Sequence, residues 1–142
     1  MLPDESDLTL PEPDRQELVR WAVACVTRLL PIFERDRPDD RRPSDALAGA
    51  LAFSRGELGV GAVRKLAFGC HAAARDAEAP AAVAVARACG QAVATAHMAG
   101  HSRQVGVYTS KALADDSAQR DAELVWQQGA LPARFQWYVY GG

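Results

Sequence analysis

Alanine supplies 28 of the 142 residues of this chain, and isoleucine supplies one. That imbalance limits the fold more than any motif does. Alanine is the strongest helix former, whereas sheets are built mainly from β-branched and aromatic residues. The chain is therefore expected to be all-α. Alanine also has little side chain to bury. Helices built from it must approach closely and gather stability from many weak contacts, which leaves little room for a pocket and argues against an enzyme. With apolar types at 49% and charged types at 24%, the chain has material for one core.

Periodicity divides the chain. Residues 1–13 hold Pro3, Pro11 and Pro13 among several acids and read as a flexible acidic arm. A helical domain over 14–132 follows. Leu18, Trp21, Ala22, Cys25, Val26, Leu29, Ile32 and Phe33 recur at steps of three and four, which predicts a helix over 14–35. Asp14 is its expected N-cap, and Pro31 its expected kink or early stop. The charged stretch 34–45 reads as a solvated loop, with Ser44 or Asp45 capping a helix over 44–55. Gly56, Gly59 and Gly61 follow no predicted strand, and Lys65 is misplaced for a phosphate loop, so they read as a helix junction. Two alanine-rich helices, 60–77 and 81–100, form an antiparallel hairpin in which facing residue numbers sum to about 159. That register sets His71 level with Ala88 and Cys70 opposite Cys89. Helices over 102–114 and 116–128 bring the total to five or six. Residues 133–142 form an aromatic tail with Phe135, Trp137, Tyr138 and Tyr140. It packs back over the helices or offers a dimer or partner surface, with Trp137 and Tyr138 as its contact residues.

Few residues invite chemistry. No nucleophile elbow or paired-carboxylate cleft is recognisable, so no catalytic residue is assigned. His97 and His101 stand four apart at the end of a predicted helix, with both imidazoles on one side. Met98 stands where a zincin motif has its glutamate, so the hydrolytic base is missing. The hairpin register brings Glu57 near His101. His97, His101 and Glu57 therefore form a candidate site for a divalent metal, and no other cofactor is expected. His71 falls about 13 Å away at 1.5 Å rise per residue, too far to share the ion. Cys25, Cys70 and Cys89 are odd in number and make no CxxC motif, which fits reduced thiols. The acidic start lacks the character of a secretory signal, and no apolar run reaches membrane length. These features point to a cytoplasmic protein without a membrane partner. A net charge of −2, and basic residues without aromatic interleaving, argue against a nucleic-acid partner.

The segments Trp21-Ala-Val-Ala-Cys-Val26, Leu30-Pro-Ile-Phe-Glu34, Arg37-Pro-Asp-Asp40, Arg42-Pro43 and Gly90-Gln-Ala-Val-Ala-Thr-Ala-His-Met-Ala-Gly-His101 occur in one order. In that order the chain resembles the Imm-5-like family of bacterial immunity proteins, common in actinobacteria, over about residues 15–130. Trp126-Gln127 and Leu131-Pro132 resemble the family's end. The resemblance implies an antitoxin-like protein that binds and blocks a cognate toxin without catalysis. It brings no catalytic residues with it. The charged loop, with Arg37, Asp39, Asp40 and Arg42, is the candidate contact surface together with the acidic arm. Two other readings stand beside it: a helical protein binding a metal or small ligand through His97 and His101, and a homo-oligomeric module, such as a homodimer, joined by the aromatic tail.

The charge is unevenly shared. Residues 1–17 set six carboxylates against Arg15, a balance of −5, and the rest of the chain carries +3. The arm is therefore expected either to meet a basic partner or to fold onto its own domain.

Overall fold

Prolines mark four of the helix starts. Pro13, Pro31, Pro43 and Pro80 each occupy the first or second position of a helix. The first amides of a helix have no intrahelical partner, so a residue without an N–H costs nothing there, and its fixed φ is already helical. In the computed structural model, which describes residues 1–141, the elements are α1 (Glu12–Thr27), α2 (Leu30–Asp36), α3 (Arg42–Ser54), α4 (Val60–Asp76) and α5 (Pro80–Ala94), then α6 (Val105–Ala112), α7 (Ser117–Ala130) and α8 (Gln136–Tyr140). Two 3-10 turns, Ala99–Gln104 and Ala133–Phe135, lie between them. No strand occurs among the described residues.

The all-α class holds, but the helices among the described residues number eight rather than five or six. The expected helix over 14–35 is two: it stops before Pro31 and restarts as α2 with that proline in its first turn. The aromatic tail adds a short helix, α8. Pro11 rather than Asp14 stands at the N-cap of α1, and Asp14 points its carboxylate at Arg134, 2.5 Å away. Neither Ser44 nor Asp45 caps α3, which begins two residues early with Pro43 in its first turn.

The centre of the fold is α5. Ten of its fifteen residues are buried, six of them alanine, so neighbouring helices close on it from several sides. The same economy of size operates between α3 and α4. A Cβ on Gly49 would lie 2.2 Å from Leu66 Cδ1, so these helices touch where one has no side chain. Phe33, Phe53, Phe135 and Tyr138 are the largest side chains fully buried in the core.

The acidic arm lies against the body. The Gly100 amide donates to the Leu8 carbonyl at 2.9 Å, and the Tyr138 hydroxyl to the Asp7 carbonyl at 2.9 Å. Arg103 donates to the Glu5 carbonyl at 2.6 Å, and Arg15 to the Leu10 carbonyl at 2.7 Å. Leu10 is buried and holds φ at +56°, an unusual value for a branched side chain. The Asp7 carboxylate supports the bend by accepting from the amides of Thr9 and Leu10. Among the described residues, no helix is long and apolar enough to cross a membrane.

Candidate functional site

The loop between α2 and α3 is built around carboxylates. Asp36 accepts from the amides of Glu78 (3.0 Å) and Ala79 (3.3 Å), which fixes the turn ahead of α5. Asp40 receives the Arg42 amide at 3.1 Å and its guanidinium at 2.9 and 2.6 Å. The same guanidinium reaches Asp76 of α4 at 2.7 Å. These hydrogen bonds hold the Asp40 carboxyl below the usual carboxylate range. With its side chain only 6% exposed, Asp40 braces the loop from within. Arg37, Pro38 and Asp39 rim a groove of about 420 Å³ beside it. Of the four charged residues assigned to this surface, Asp40 and Arg42 are tied to the body, while Asp39 is exposed and Arg37 half-buried.

The histidines are arranged differently from the sequence expectation. Helix α5 ends at Ala94, Met98 is extended (φ −149°, ψ 106°), and His101 lies in a 3-10 turn. The helical ladder is lost because its groups bond elsewhere. The Ala96 carbonyl accepts from Arg15 of α1 at 2.8 Å, and the Gly100 amide donates to the arm. His97 and His101 nevertheless meet, with ring centroids 5.5 Å apart and planes tilted by 52°. Gln91 Oε1 lies 2.8 Å from His101 Nδ1, whereas His97 Nδ1 is buried without a hydrogen-bond partner. Glu57 does not join them and instead pairs with Arg55 at 2.5 Å. Among the described residues, no three His, Cys, Asp or Glu side chains are placed to hold a metal.

His71 belongs to this neighbourhood in a way the register only approached. Its Nδ1 lies 3.0 Å from Arg87 Nη1, and its ring crosses α5 at Gly90. A Cβ there would sit 2.6 Å from the imidazole Cε1. A lone glycine in an alanine-rich helix was the available clue to a ring passing over it. Burial lowers the pKa of all three imidazoles. Charged neighbours add to this: Arg87 and Arg75 act on His71, and Arg64 and Arg15 on His97, while protonating His101 would disfavour the charged form of both. All three are neutral at pH 7.

Trp137 and Tyr138 face the arm. The Trp137 indole N–H donates to the Glu5 carboxylate, and the residue is 55% exposed. Tyr138 is buried beneath residues 5–7, with Arg103 stacked 4.4 Å from its ring centroid. Only Trp137 of this pair offers surface to another molecule. The three cysteines are free and buried. Burial pushes the thiols of Cys25 and Cys70 up to about 12 and raises that of Cys89 as well, so none is a thiolate at neutral pH.

The order of the α2–α3 loop, the small-residue centre and the histidine turn can be compared with known proteins as one pattern. The model of the family described as "Imm-5 like putative immunity protein" matches residues 8–134, from the second half of the arm to the start of the aromatic tail. No curated protein and no solved structure gives a match. With nearly all of its length covered by the family model, the chain belongs to the family described as "Imm-5 like putative immunity protein".

Proposed function

We propose that this protein binds a cognate toxin and blocks it by occupying its surface, without catalysis. The family match over residues 8–134 carries the reading. Two features of the molecule support it. The α2–α3 loop is braced from three sides by Asp36, Asp40 and Arg42, so Arg37, Pro38 and Asp39 are presented in a fixed shape. A pre-shaped surface binds without the entropy cost of ordering itself. The buried, protonated thiols also offer no nucleophile.

The test is co-expression with the toxin domains encoded beside this chain's gene. Growth rescue and a complex that survives gel filtration are expected. Asp39→Arg weakens that complex and leaves the melting temperature unchanged, because the side chain is exposed. If none of those domains is bound or neutralised, the reading fails.

A further inference from the structure

The surface of the α4–α5 hairpin is unlike the rest of the molecule. Arg64, Phe68, His71 and Arg75 stand at i, i+4, i+7 and i+11 of α4, which sets them in one row about 16 Å long at 1.5 Å rise per residue. Arg87 of α5 joins the row through its contact with His71. His97 and His101 extend it at the Arg64 end, where Arg64 acts on His97.

Among the described residues, no carboxylate is paired with this row. Helix α5 contains no acidic residue, and the one acid of α4, Asp76, is held by Arg42. Among the described residues Arg64, Arg75 and Arg87 make no salt bridge. Of the eleven arginines elsewhere, nine have partners within the molecule, and among the described residues only Arg35 and Arg37, beside the α2–α3 loop, share the row's lack of a carboxylate or carbonyl partner. Arg28, Arg42, Arg55 and Arg134 pair with carboxylates, and Arg15, Arg20 and Arg103 bond backbone carbonyls. Phe68 lies within the row, 59% exposed, with the Arg64 guanidinium 5.9 Å from its ring centroid. Folding gains little from an aromatic ring left in water between cations. Interfaces, in contrast, are enriched in aromatic and arginine side chains.

We infer that this row docks a carboxylate-rich surface of a partner protein, with Phe68 as its apolar anchor. The partner's class rests on the immunity reading, and its charge on the unpaired cations. A protein fits better than a nucleic acid. The row is short and carries one aromatic, and the chain as a whole has a net charge of −2. An extended polyanion would leave the row and meet the carboxylates of residues 1–17.

The experiment uses the full chain, isotope-labelled, titrated with poly-L-glutamate and separately with poly(U) RNA at low and high salt. Poly-L-glutamate is expected to shift amide signals of residues 64–75 and 87–101 selectively, with the effect fading as salt rises. Arg64→Glu with Arg75→Glu is expected to weaken binding by about tenfold or more. Arg64→Gln with Arg75→Gln, a milder pair, should give an intermediate loss, and circular dichroism checks that both variants fold. Unchanged signals, shifts confined to other helices, or tighter binding of poly(U) at the row would each overturn the inference. In the toxin co-expression assay, a complex unaffected by the double reversal removes the row but leaves the immunity reading intact. Absence of any toxin complex removes the immunity reading, while the poly-L-glutamate titration still decides whether the row receives carboxylates.

Discussion

Gly90 shows how one missing atom organises a surface. Alanine in its place would gain up to about 1 kcal/mol of helix propensity, yet its Cβ would collide with the His71 ring. The two residues are therefore coupled. In a His71→Ala background, Gly90→Ala is expected to stabilise by about 1 kcal/mol in urea unfolding. In the wild-type background that gain shrinks or reverses, because the ring must leave Arg87. Additive effects in the double-mutant cycle would show that His71 does not lie across α5. A second contrast concerns Asp39 and Asp40. Asp40→Ala removes three hydrogen bonds and leaves Arg42 with Asp76 alone, a loss of about 2 kcal/mol. Asp39→Ala should move stability by less than about 0.5 kcal/mol. Equal losses would mean that the loop is not braced through Asp40.

Among the elements, α7 is held by a few polar ties. The Trp21 indole donates to the Gln127 carbonyl at 2.9 Å, and Gln127 donates to Thr109 at 2.9 Å. Arg28 clasps Glu123 with two bonds of 2.9 and 3.0 Å while lying 4.0 Å from the Trp126 ring centroid. Glu123→Ala should cost about 1–2 kcal/mol, moderated by the solvent that Arg28 retains. It should also speed amide exchange in α7 more than in α5. A uniform rise across both helices would contradict this division. The same ties explain what was legible beforehand. Apolar spacing and prolines are local signals, and they placed the α4–α5 hairpin to within a few residues, apart from its far end. The spacing runs on to residue 100, because the groups that stop the helix, Arg15 and the arm carbonyl of Leu8, lie more than 80 residues away. Asp14 looked like a cap for the same reason, since Arg134 is invisible from its neighbours in sequence. The histidine pair was found from its spacing, although a turn rather than a helix brings it together. Glu57 was placed by extending an ideal hairpin past the point where α4 begins.

At the scale of the whole molecule, the three lowered imidazole pKa values make stability depend on pH. The unfolded chain takes up protons near the ordinary histidine value of about 6.5, and the folded chain takes them up only at lower pH. Their contribution is therefore fully present above about pH 6.5 and is lost as pH falls through the depressed folded values. Each histidine can contribute a slope of up to about 1.4 kcal/mol per pH unit. Urea midpoints should fall between pH 6.5 and 5.5, and His71→Ala should reduce that fall. A flat profile over this range would refute the burial of these rings. The docking of residues 5–10 has another consequence. The carbonyls of Glu5 and Asp7 are held by Arg103 and Tyr138, 98 and 131 residues further on. During synthesis the arm leaves the ribosome long before its donors exist. It must wait as a solvated tether until α8 has emerged. Its closure is then among the last steps of maturation, and a ribosome stalled anywhere before Tyr138 would hold a body whose arm is still open to proteases.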